Sequence, residues 1–190
     1  MNRCEAKAGR DVRKEHDLIA PAIPALGGCW AELGSGTGVF TAELYMLIGP
    51  RGNIYSVDKN RHALEKQRRA LEERFPEAHN IHFVQADFTT KLDLPPLDGI
   101  LMANSLHFVP FDLQRSLVKQ ICSYLKPKGV LVVVEYEAHH GNLWVPHPIN
   151  YDSFDFLAGE AGMVDIHRLA SIPSSFMGEM YSAIAVRPDH

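Results

Sequence analysis

Apolar and polar positions change period along this chain, from short apolar runs to helical spacing and back. Five apolar runs predict buried strands: Cys29–Leu33, Asn53–Val57, Ile81–Gln85, Gly99–Ala103 and Val130–Val134. Helical periodicity predicts four helices: Phe40–Ile48, Asn60–Phe75, Phe111–Leu125 and Tyr151–Ala161. Strands and helices therefore alternate, which is typical of a parallel sheet built from strand–helix–strand units.

The C-terminal part departs from this alternation. Two further strands are predicted over Val164–Ala170 and Tyr181–Val186, joined as a hairpin across residues 172–179. Turn-forming residues at Lys126–Gly129 are expected to close the helix before the fifth strand. The predicted fold class is α/β: a doubly wound, mostly parallel seven-stranded sheet with an antiparallel C-terminal strand and helices on both faces.

Length and composition limit the domain organisation of the chain and the kinds of partner it can bind. The 190 residues, 46% of them hydrophobic and 22% charged, predict one globular domain over residues 1–190, with residues 1–24 as a short N-terminal cap. No apolar run reaches the length of a membrane span, and the polar N-terminus lacks the apolar centre of a secretory signal, so a cytoplasmic location without membrane association is expected. The net charge of −4 argues against nucleic-acid binding.

A glycine loop follows the first predicted strand. The sequence Glu32-Leu33-Gly34-Ser35-Gly36-Thr37-Gly38 has the spacing G-x-G-x-G and precedes a helix, which predicts that a small molecule lies against bare backbone at the mouth of the sheet. Val39 stands where the dinucleotide fingerprint has its third glycine. With the acidic Glu32 before the loop, this spacing favours another adenosine ligand over a nicotinamide cofactor.

The loop resembles motif I of the class I S-adenosylmethionine-dependent methyltransferases, and the resemblance extends from about Ala25 to Arg187. It implies S-adenosylmethionine as cofactor and S-adenosylhomocysteine as product, with the glycine loop around the methionine part and Glu32 near its ammonium group. It assigns to cofactor binding the loop and the residues that follow the next strands: Glu32, Gly34, Ser35, Gly36, Thr37, Gly38, Asp58, Lys59, Asp87, Phe88 and Asn104.

Two of these acidic residues have ordinary structural alternatives. Asp58 ends the second strand, where a carboxylate accepts hydrogen bonds from both ribose hydroxyls, or caps the helix that starts near Asn60. Asp87 ends the third strand, where the resemblance implies a bond to the adenine amino group; the alternative is a surface loop aspartate. Lys59 is expected to pack along the adenine edge, and Phe88 either covers the ring or donates its backbone N–H to an adenine nitrogen.

The sequence Asn104-Ser105-Leu106-His107 follows the fourth strand and bears on the acceptor. It lacks the Asn/Asp-Pro-Pro-aromatic motif of amino-adenine methyltransferases. It is similar instead to the small-molecule branch that includes the ubiquinone and menaquinone biosynthesis methyltransferases. The resemblance therefore implies a methyltransferase for a small-molecule acceptor, acting mainly by aligning the acceptor for in-line displacement, as a monomer or homodimer.

Four residues are candidates for catalysis. His107 is the best candidate base, with a packing histidine as the alternative, and Tyr136 follows the fifth strand on the expected substrate side. His139 and His140 belong to a segment, residues 138–149, that also carries Trp144 and is a candidate lid over the substrate.

Metal binding and other functions remain as alternatives. Adjacent histidines point apart in a strand, and the isolated cysteines Cys4, Cys29 and Cys122 lack metal-ligand spacing, so no metal site is expected. A non-catalytic cofactor-binding or regulatory protein of the same fold is the main alternative, and methylation of a protein or RNA is another.

Overall fold

Strands and helices alternate along the chain in the computed structural model, which describes residues 14–23, 26–174 and 176–189. The strands are β1 (Cys29–Leu33), β2 (Asn53–Asp58), β3 (Ile81–Gln85), β4 (Leu97–Ala103), β5 (Leu125–Tyr136), β6 (Val164–Ser174) and β7 (Gly178–Val186). The helices between them are α1 (Val39–Ile48), α2 (Arg61–Arg74), α3 (Phe111–Cys122) and α4 (Tyr151–Glu160). The predicted elements are thus all present, with small shifts of their ends.

The seven strands form one sheet in the order β3-β2-β1-β4-β5-β7-β6. The first five strands are parallel, whereas β7 pairs antiparallel with both β5 and β6. The chain moves outward from β1 to β3 and then returns to place β4 on the other side of β1, which makes the β1–β4 boundary the topological switch point. The predicted fold class is confirmed.

Two apolar layers cover the sheet, one on each face, because successive side chains of a strand point to opposite sides. Ile100 and Met102 of β4 pack with α3 and α4, while Leu101 and Ala103 pack with α1. Leu18 and Ile19, in a helical stretch over residues 14–19, are buried in the second layer. Burial on both faces explains why these strands read as continuous apolar runs.

Only part of the predicted N-terminal cap can be compared with the structure. Residues 1–13 and 24 lie outside the described residues, as does Cys4. Within 14–23, the helical stretch continues into a 3₁₀ turn, Ala20–Ala22. No helix in the described ranges has the length and apolar character needed to cross a bilayer.

The prediction of a turn at Lys126–Gly129 is corrected by the structure. These residues lie inside β5, whose pairing with β4 jumps from Leu97↔Leu125 to Gly99↔Val130. The extra residues on β5 form a bulge, and Lys128 takes the left-handed φ of 63°. The turn-forming residues do bend the chain, but strand pairing continues on both sides of the bend.

Candidate active site

A cavity of about 740 Å³ opens at the carboxyl ends of β1 to β4, beside the switch point. Ten of the eleven residues predicted to bind the cofactor line it: Glu32, Gly34, Ser35, Gly36, Thr37, Asp58, Lys59, Asp87, Phe88 and Asn104. The structure therefore brings residues from four separate strand ends to one cavity, which is large enough for an adenosine-sized ligand.

The glycine loop presents its backbone to this cavity. Gly36 has φ of 53°, and its N–H donates to Asp58 Oδ2 at 2.7 Å. A Cβ on Gly36 would meet no atom within 4 Å, so that side of the residue faces open space. The left-handed backbone and the open space together explain glycine here, since a side chain would project where a ligand can approach.

Gly38 is the predicted cofactor residue that does not line the cavity. A Cβ on Gly38 would lie 2.3 Å from Gln67 Cγ of α2. The left-handed φ of 86° and this close packing against Gln67 together account for glycine at this position.

A network of buried polar side chains packs against the glycine loop and supports it. Gln67 donates to Thr41 Oγ1 and Ser56 Oγ, each at 2.7 Å, and accepts from Ser35 Oγ at 3.2 Å. Ser56 donates to Ser35, and Thr41 donates to Glu32. Because each hydroxyl and the amide have partners, the network holds β1, the loop, α1, β2 and α2 in one arrangement.

Glu32 is the carboxyl group of this network and is 2% exposed. Burial raises its pKa to about 8, against the opposing effect of the Thr41 hydrogen bond and with a smaller contribution from the charge of Asp58. The side chain is therefore mostly neutral at pH 7, and a cation placed beside it would favour the carboxylate.

Asp58 accepts hydrogen bonds from two backbone N–H groups and does not cap α2, which was the alternative to its predicted ribose role. It accepts from Gly36 N and from Asn60 N, both at 2.7 Å. Asn60 is the N-cap of α2, and its side chain accepts from the N–H groups of His62 and Ala63. The cap alternative for Asp58 is thus corrected, and its carboxylate is fixed beside the cavity with lone pairs left for a ligand.

Asp87 and its neighbours form the far end of the cavity. Asp87 Oδ1 accepts from the backbone and hydroxyl of Thr89, which lowers the pKa of this carboxyl, and Lys59 Nζ lies 3.9 Å from Oδ2. The Phe88 ring approaches the glycine loop, since a Cβ on Gly34 would lie 3.2 Å from Phe88 Cε1. An ionised acceptor and an aromatic ring thus stand side by side.

Asn104 occupies the switch point and carries an unpartnered atom. Its φ is 50°, a left-handed conformation that asparagine tolerates better than most residues. Its Oδ1 is buried without a hydrogen-bond partner among the described residues. A buried acceptor of this kind is costly unless a ligand satisfies it, so Asn104 Oδ1 fits a ligand that brings an N–H or O–H donor.

A second cavity of about 250 Å³ adjoins the first, and the two share Asn104 and Phe108 as lining residues. His107, Tyr136, Trp144, Val145 and Phe176 complete its lining. Two of the four candidates for catalysis, His107 and Tyr136, thus lie here, and burial beside Glu135 raises the pKa of Tyr136.

His107 is 3% exposed, and its Nδ1 lies 2.6 Å from Glu135 Oε2. Glu135 Oε1 accepts from the backbone N–H groups of Leu106 and His107 at 3.0 and 3.3 Å. A carboxylate that receives two amide hydrogens and lies against an imidazole nitrogen is held in one position.

His139 and His140 are exposed and are absent from the lining of both cavities. His139 Nδ1 lies 2.9 Å from Asn150 Nδ2. Trp144, from the same 138–149 segment, does line the second cavity. Over the described ranges, no group of three or more His, Cys, Asp or Glu side chains is arranged to hold a metal ion.

Sequence reasoning missed several residues of the site. Gln67 and the hydroxyls around it give no local signal, because they meet only when α2 packs on β2. Ser105 donates to the Leu33 carbonyl at 2.7 Å and joins the ends of β4 and β1. Phe108 and Phe176 come from segments 68 residues apart, and only the folded chain brings them to one cavity.

Comparison with known proteins gives a consistent family. A methyltransferase domain family matches residues 31–162. The ubiquinone/menaquinone biosynthesis C-methyltransferase UbiE of Pseudomonas entomophila is 32% identical over 127 residues, which are 66% of this chain and 47% of that protein. The chain therefore spans about half the length of the curated relatives it matches.

Solved structures share the fold at low sequence identity. A putative O-methyltransferase from Nostoc punctiforme superposes with a TM-score of 0.75 and 14% identity, covering 96% of this chain and 58% of that one. A Haemonchus contortus phosphoethanolamine N-methyltransferase in complex with S-adenosylhomocysteine superposes with a TM-score of 0.74 and 13% identity. The superposition covers 93% of this chain and 52% of that one. At these identities the likeness shows the fold alone.

Proposed function

The chain belongs to the S-adenosylmethionine-dependent methyltransferases, and from this premise we propose that it transfers the methyl group of that cofactor to a small-molecule acceptor. One observation carries the proposal: carboxyl groups from the ends of three neighbouring strands converge with a glycine loop on a single cavity. The second cavity, which shares Asn104 with the first, is where the acceptor binds.

The proposed roles follow from the chemistry of each side chain. Glu32 balances the ammonium of the methionine part, and Gly36 leaves room for that part of the cofactor. Asp58 accepts from the ribose hydroxyls, while Asp87 accepts from the adenine amino group beside Phe88 and Lys59. Asn104 Oδ1, which has no partner among the described residues, accepts from a polar hydrogen of the cofactor or acceptor.

The bound cofactor supplies an activated methyl group on a sulfonium, ready for displacement by a nucleophile. The residues of this chain contribute binding, alignment and exclusion of water. Alignment depends on the common wall of the two cavities, since Asn104 and Phe108 contact whatever occupies either one. A small acceptor is supported by the size of the second cavity, about 250 Å³.

The test is calorimetric titration of S-adenosylmethionine, S-adenosylhomocysteine and NAD into the purified protein. We expect both sulfur ligands to bind and NAD not to bind. Replacing Asp58 with Asn removes one carboxylate acceptor at the ribose position, and we expect it to weaken S-adenosylhomocysteine binding about 10- to 100-fold.

Asp155→Asn is the matched control, because Asp155 is exposed on α4 and does not line either cavity. It should leave both affinities unchanged. Absence of binding by both sulfur ligands would refute the proposed function, and NAD binding at similar affinity would point to a nicotinamide enzyme instead.

A further inference from the structure

The 138–149 segment carries Trp144 and Val145 to the second cavity, and we propose that Arg168 of β6 is a positioning residue that fixes both ends of this segment and so holds the wall of the acceptor site in place. The inference rests on the proposed function, because it takes the second cavity as the place where the acceptor binds. Arg168 lies outside residues 31–162, which match the family, and lines neither cavity. It therefore affects an acceptor only through the segment.

The segment forms no helix or strand between the end of β5 and the start of α4. Residues 139–144 are all exposed. Asn142 turns the chain there, since its side chain accepts from the N–H groups of Trp144 and Val145, both at 2.8 Å. This turn fixes the local shape of these residues, whereas their position over the sheet depends on how the segment is attached.

The start of the segment is attached through Glu137, the residue after β5. Its N–H donates to the Glu179 carbonyl of β7 at 2.9 Å, and its Oε2 accepts from Arg168 Nη2 at 2.6 Å. Its Oε1 accepts from the N–H of Tyr151, the first residue of α4, at 3.4 Å. The two ends of the segment are thus joined through one carboxylate, which Arg168 orients.

The end of the segment is attached through two tyrosine rings. The Arg168 guanidinium carbon lies 4.9 Å from the centre of the Tyr151 ring and 5.3 Å from that of Tyr181, and at such distances a cation is attracted to an aromatic face. Tyr181 is fully buried, and its hydroxyl donates to the Ile149 carbonyl at 2.8 Å. Arg168 therefore packs on the side chains that hold the last residues of the segment.

A single guanidinium balances two carboxylates at this place. Arg168 Nη1 lies 3.3 Å from Glu179 Oε1, in addition to the bond from Nη2 to Glu137. Within the described ranges, neither carboxylate forms an ion pair with any other side chain. The Glu137 side chain is 24% exposed, so water screens its charge only in part. Loss of Arg168 would leave two neighbouring negative charges that repel each other and would release the start of the segment.

These contacts are directed at the segment rather than at strand pairing. Arg168 belongs to the edge strand β6, and its guanidinium reaches past the neighbouring β7 to the residue after β5. The pairing of β6 with β7 runs from Val164↔Val186 to Ser174↔Gly178 and uses backbone groups. The sheet therefore does not depend on the guanidinium, and its loss should be a local change.

Hydrogen exchange in the complex with S-adenosylhomocysteine tests the attachment directly. In Arg168→Gln we expect the amides of residues 138–149 to exchange about 10- to 100-fold faster, because the loss of charge-assisted bonds favours local opening. The N–H groups of Asn142 and His147, which donate to carbonyl groups 3.0 and 3.1 Å away, report this opening. The amides of β1 and α1 should exchange as in the wild type, and the affinity for S-adenosylhomocysteine should be unchanged.

Three further variants distinguish this attachment from a general loss of stability. Glu137→Gln removes the other half of the pair and should give the same local increase, and the double variant should exchange no faster than either single variant. Arg168→Lys keeps the charge but lacks the planar fork, so it should restore part of the protection. Arg61→Gln is the matched control, because it breaks an exposed pair with Glu65 on α2, in which Nε and Oε1 lie 2.9 Å apart, and should leave the segment unchanged.

Benzyl alcohol serves as the probe for the effect on the acceptor site, since one small ring suits the aromatic lining and the volume of about 250 Å³. Its binding to the complex with S-adenosylhomocysteine is followed by the protection of Trp144 from acrylamide quenching. If loss of Arg168 leaves the wall in place for only about a tenth of the time, the affinity for benzyl alcohol should fall about 10-fold in Arg168→Gln. Arg61→Gln should bind it as the wild type does.

The inference is overturned if exchange over residues 138–149 is unchanged in Arg168→Gln and Glu137→Gln, or if it rises evenly over the whole chain. Additive effects in the double variant, or equal affinity of the wild type and Arg168→Gln for benzyl alcohol, would also overturn it. If Arg168→Gln fails to fold, Glu137→Gln decides. Failure of S-adenosylhomocysteine to bind refutes the proposed function, whereas exchange in the free protein still tests the attachment of the segment.

Discussion

Glu32 illustrates how one buried carboxyl couples cofactor binding to pH. Its pKa of about 8 means that the cavity without cofactor holds a mostly neutral side chain at pH 7. An ammonium group brought beside it favours the carboxylate, so binding of S-adenosylhomocysteine should release up to one proton per complex at pH 7. Affinity should therefore rise with pH and level off above about pH 8. Calorimetry in two buffers of different ionisation enthalpy measures the released proton.

Glu32→Gln is the isosteric control for that measurement. The Gln side chain cannot ionise, so proton release and the rise of affinity with pH should both disappear. Equal binding enthalpies for the wild type in the two buffers would show that Glu32 keeps its proton and does not meet the ammonium.

The Glu32 carboxyl also makes the stability of the cofactor-free protein depend on pH. Its pKa is 4.5 as an ordinary side chain and about 8 in the fold, so folding opposes ionisation. Its neutral form is accommodated without penalty below pH 4.5, and the free energy of unfolding should fall as the pH rises from there to about 8. In Glu32→Gln the free energy of unfolding, measured with denaturant, should fall less than in the wild type as the pH rises over this range.

Individual residues differ in how far sequence alone could place them. Glu32 lies near the end of the first predicted strand, and Asp58 and Asp87 follow the second and third. Parallel strands end at one edge of a sheet, so the convergence of these residues could be predicted. The unpartnered Asn104 Oδ1 could not, because its burial depends on neighbouring chain segments. The motif alone assigns Gly38 to the ligand, whereas the structure shows it packed on Gln67.

At the scale of elements, α2 is tied to the glycine loop by the Gln67 amide. Gln67 is fully buried and joins Ser35, Thr41 and Ser56. In Gln67→Leu these hydroxyls lose their common partner, and we expect the free energy of unfolding to fall by about 2–3 kcal/mol. The loop should also loosen, so affinity for S-adenosylhomocysteine should fall in the same variant. Denaturant unfolding and calorimetry measure the two effects.

Lys66→Leu provides the comparison, because Lys66 is the exposed neighbour of Gln67 on α2. It should change stability by no more than about 0.5 kcal/mol and leave cofactor affinity unaltered. Equal stability and affinity of Gln67→Leu and wild type would mean that the network does not support the loop.

Element boundaries were predicted less well than the elements themselves, and β5 shows why. Residues 126–129 contain Pro127 and Gly129, which indicate a turn by their local chemistry. Pairing with β4 is a long-range contact, and Lys126 Nζ lies 2.9 Å from Asp98 Oδ1 across that pair. Local composition reports the bend, and only the neighbouring strand reveals that it is a bulge.

For the whole molecule, alternating periodicity was sufficient to predict the sheet and its antiparallel end. The second cavity required the folded chain, because its lining comes from the end of β4, the end of β5, the 138–149 segment and the β6–β7 turn. These segments are distant in sequence and share no motif. The cofactor site is thus predictable from one recurring pattern, whereas the acceptor site depends on how separate loops meet.

Because these loops converge at the second cavity, we expect the 138–149 segment to cover a bound acceptor. The chain has two tryptophans, of which Trp30 is 1% exposed and Trp144 is 65% exposed at the second cavity. A ring bound there should bury Trp144 and leave Trp30 unchanged. Quenching of tryptophan fluorescence by acrylamide should therefore decrease when a small aromatic compound joins the complex with S-adenosylhomocysteine. Trp144→Phe keeps an aromatic wall and should abolish the decrease, whereas unchanged quenching of the wild type at a saturating concentration of the compound would place the acceptor away from this segment.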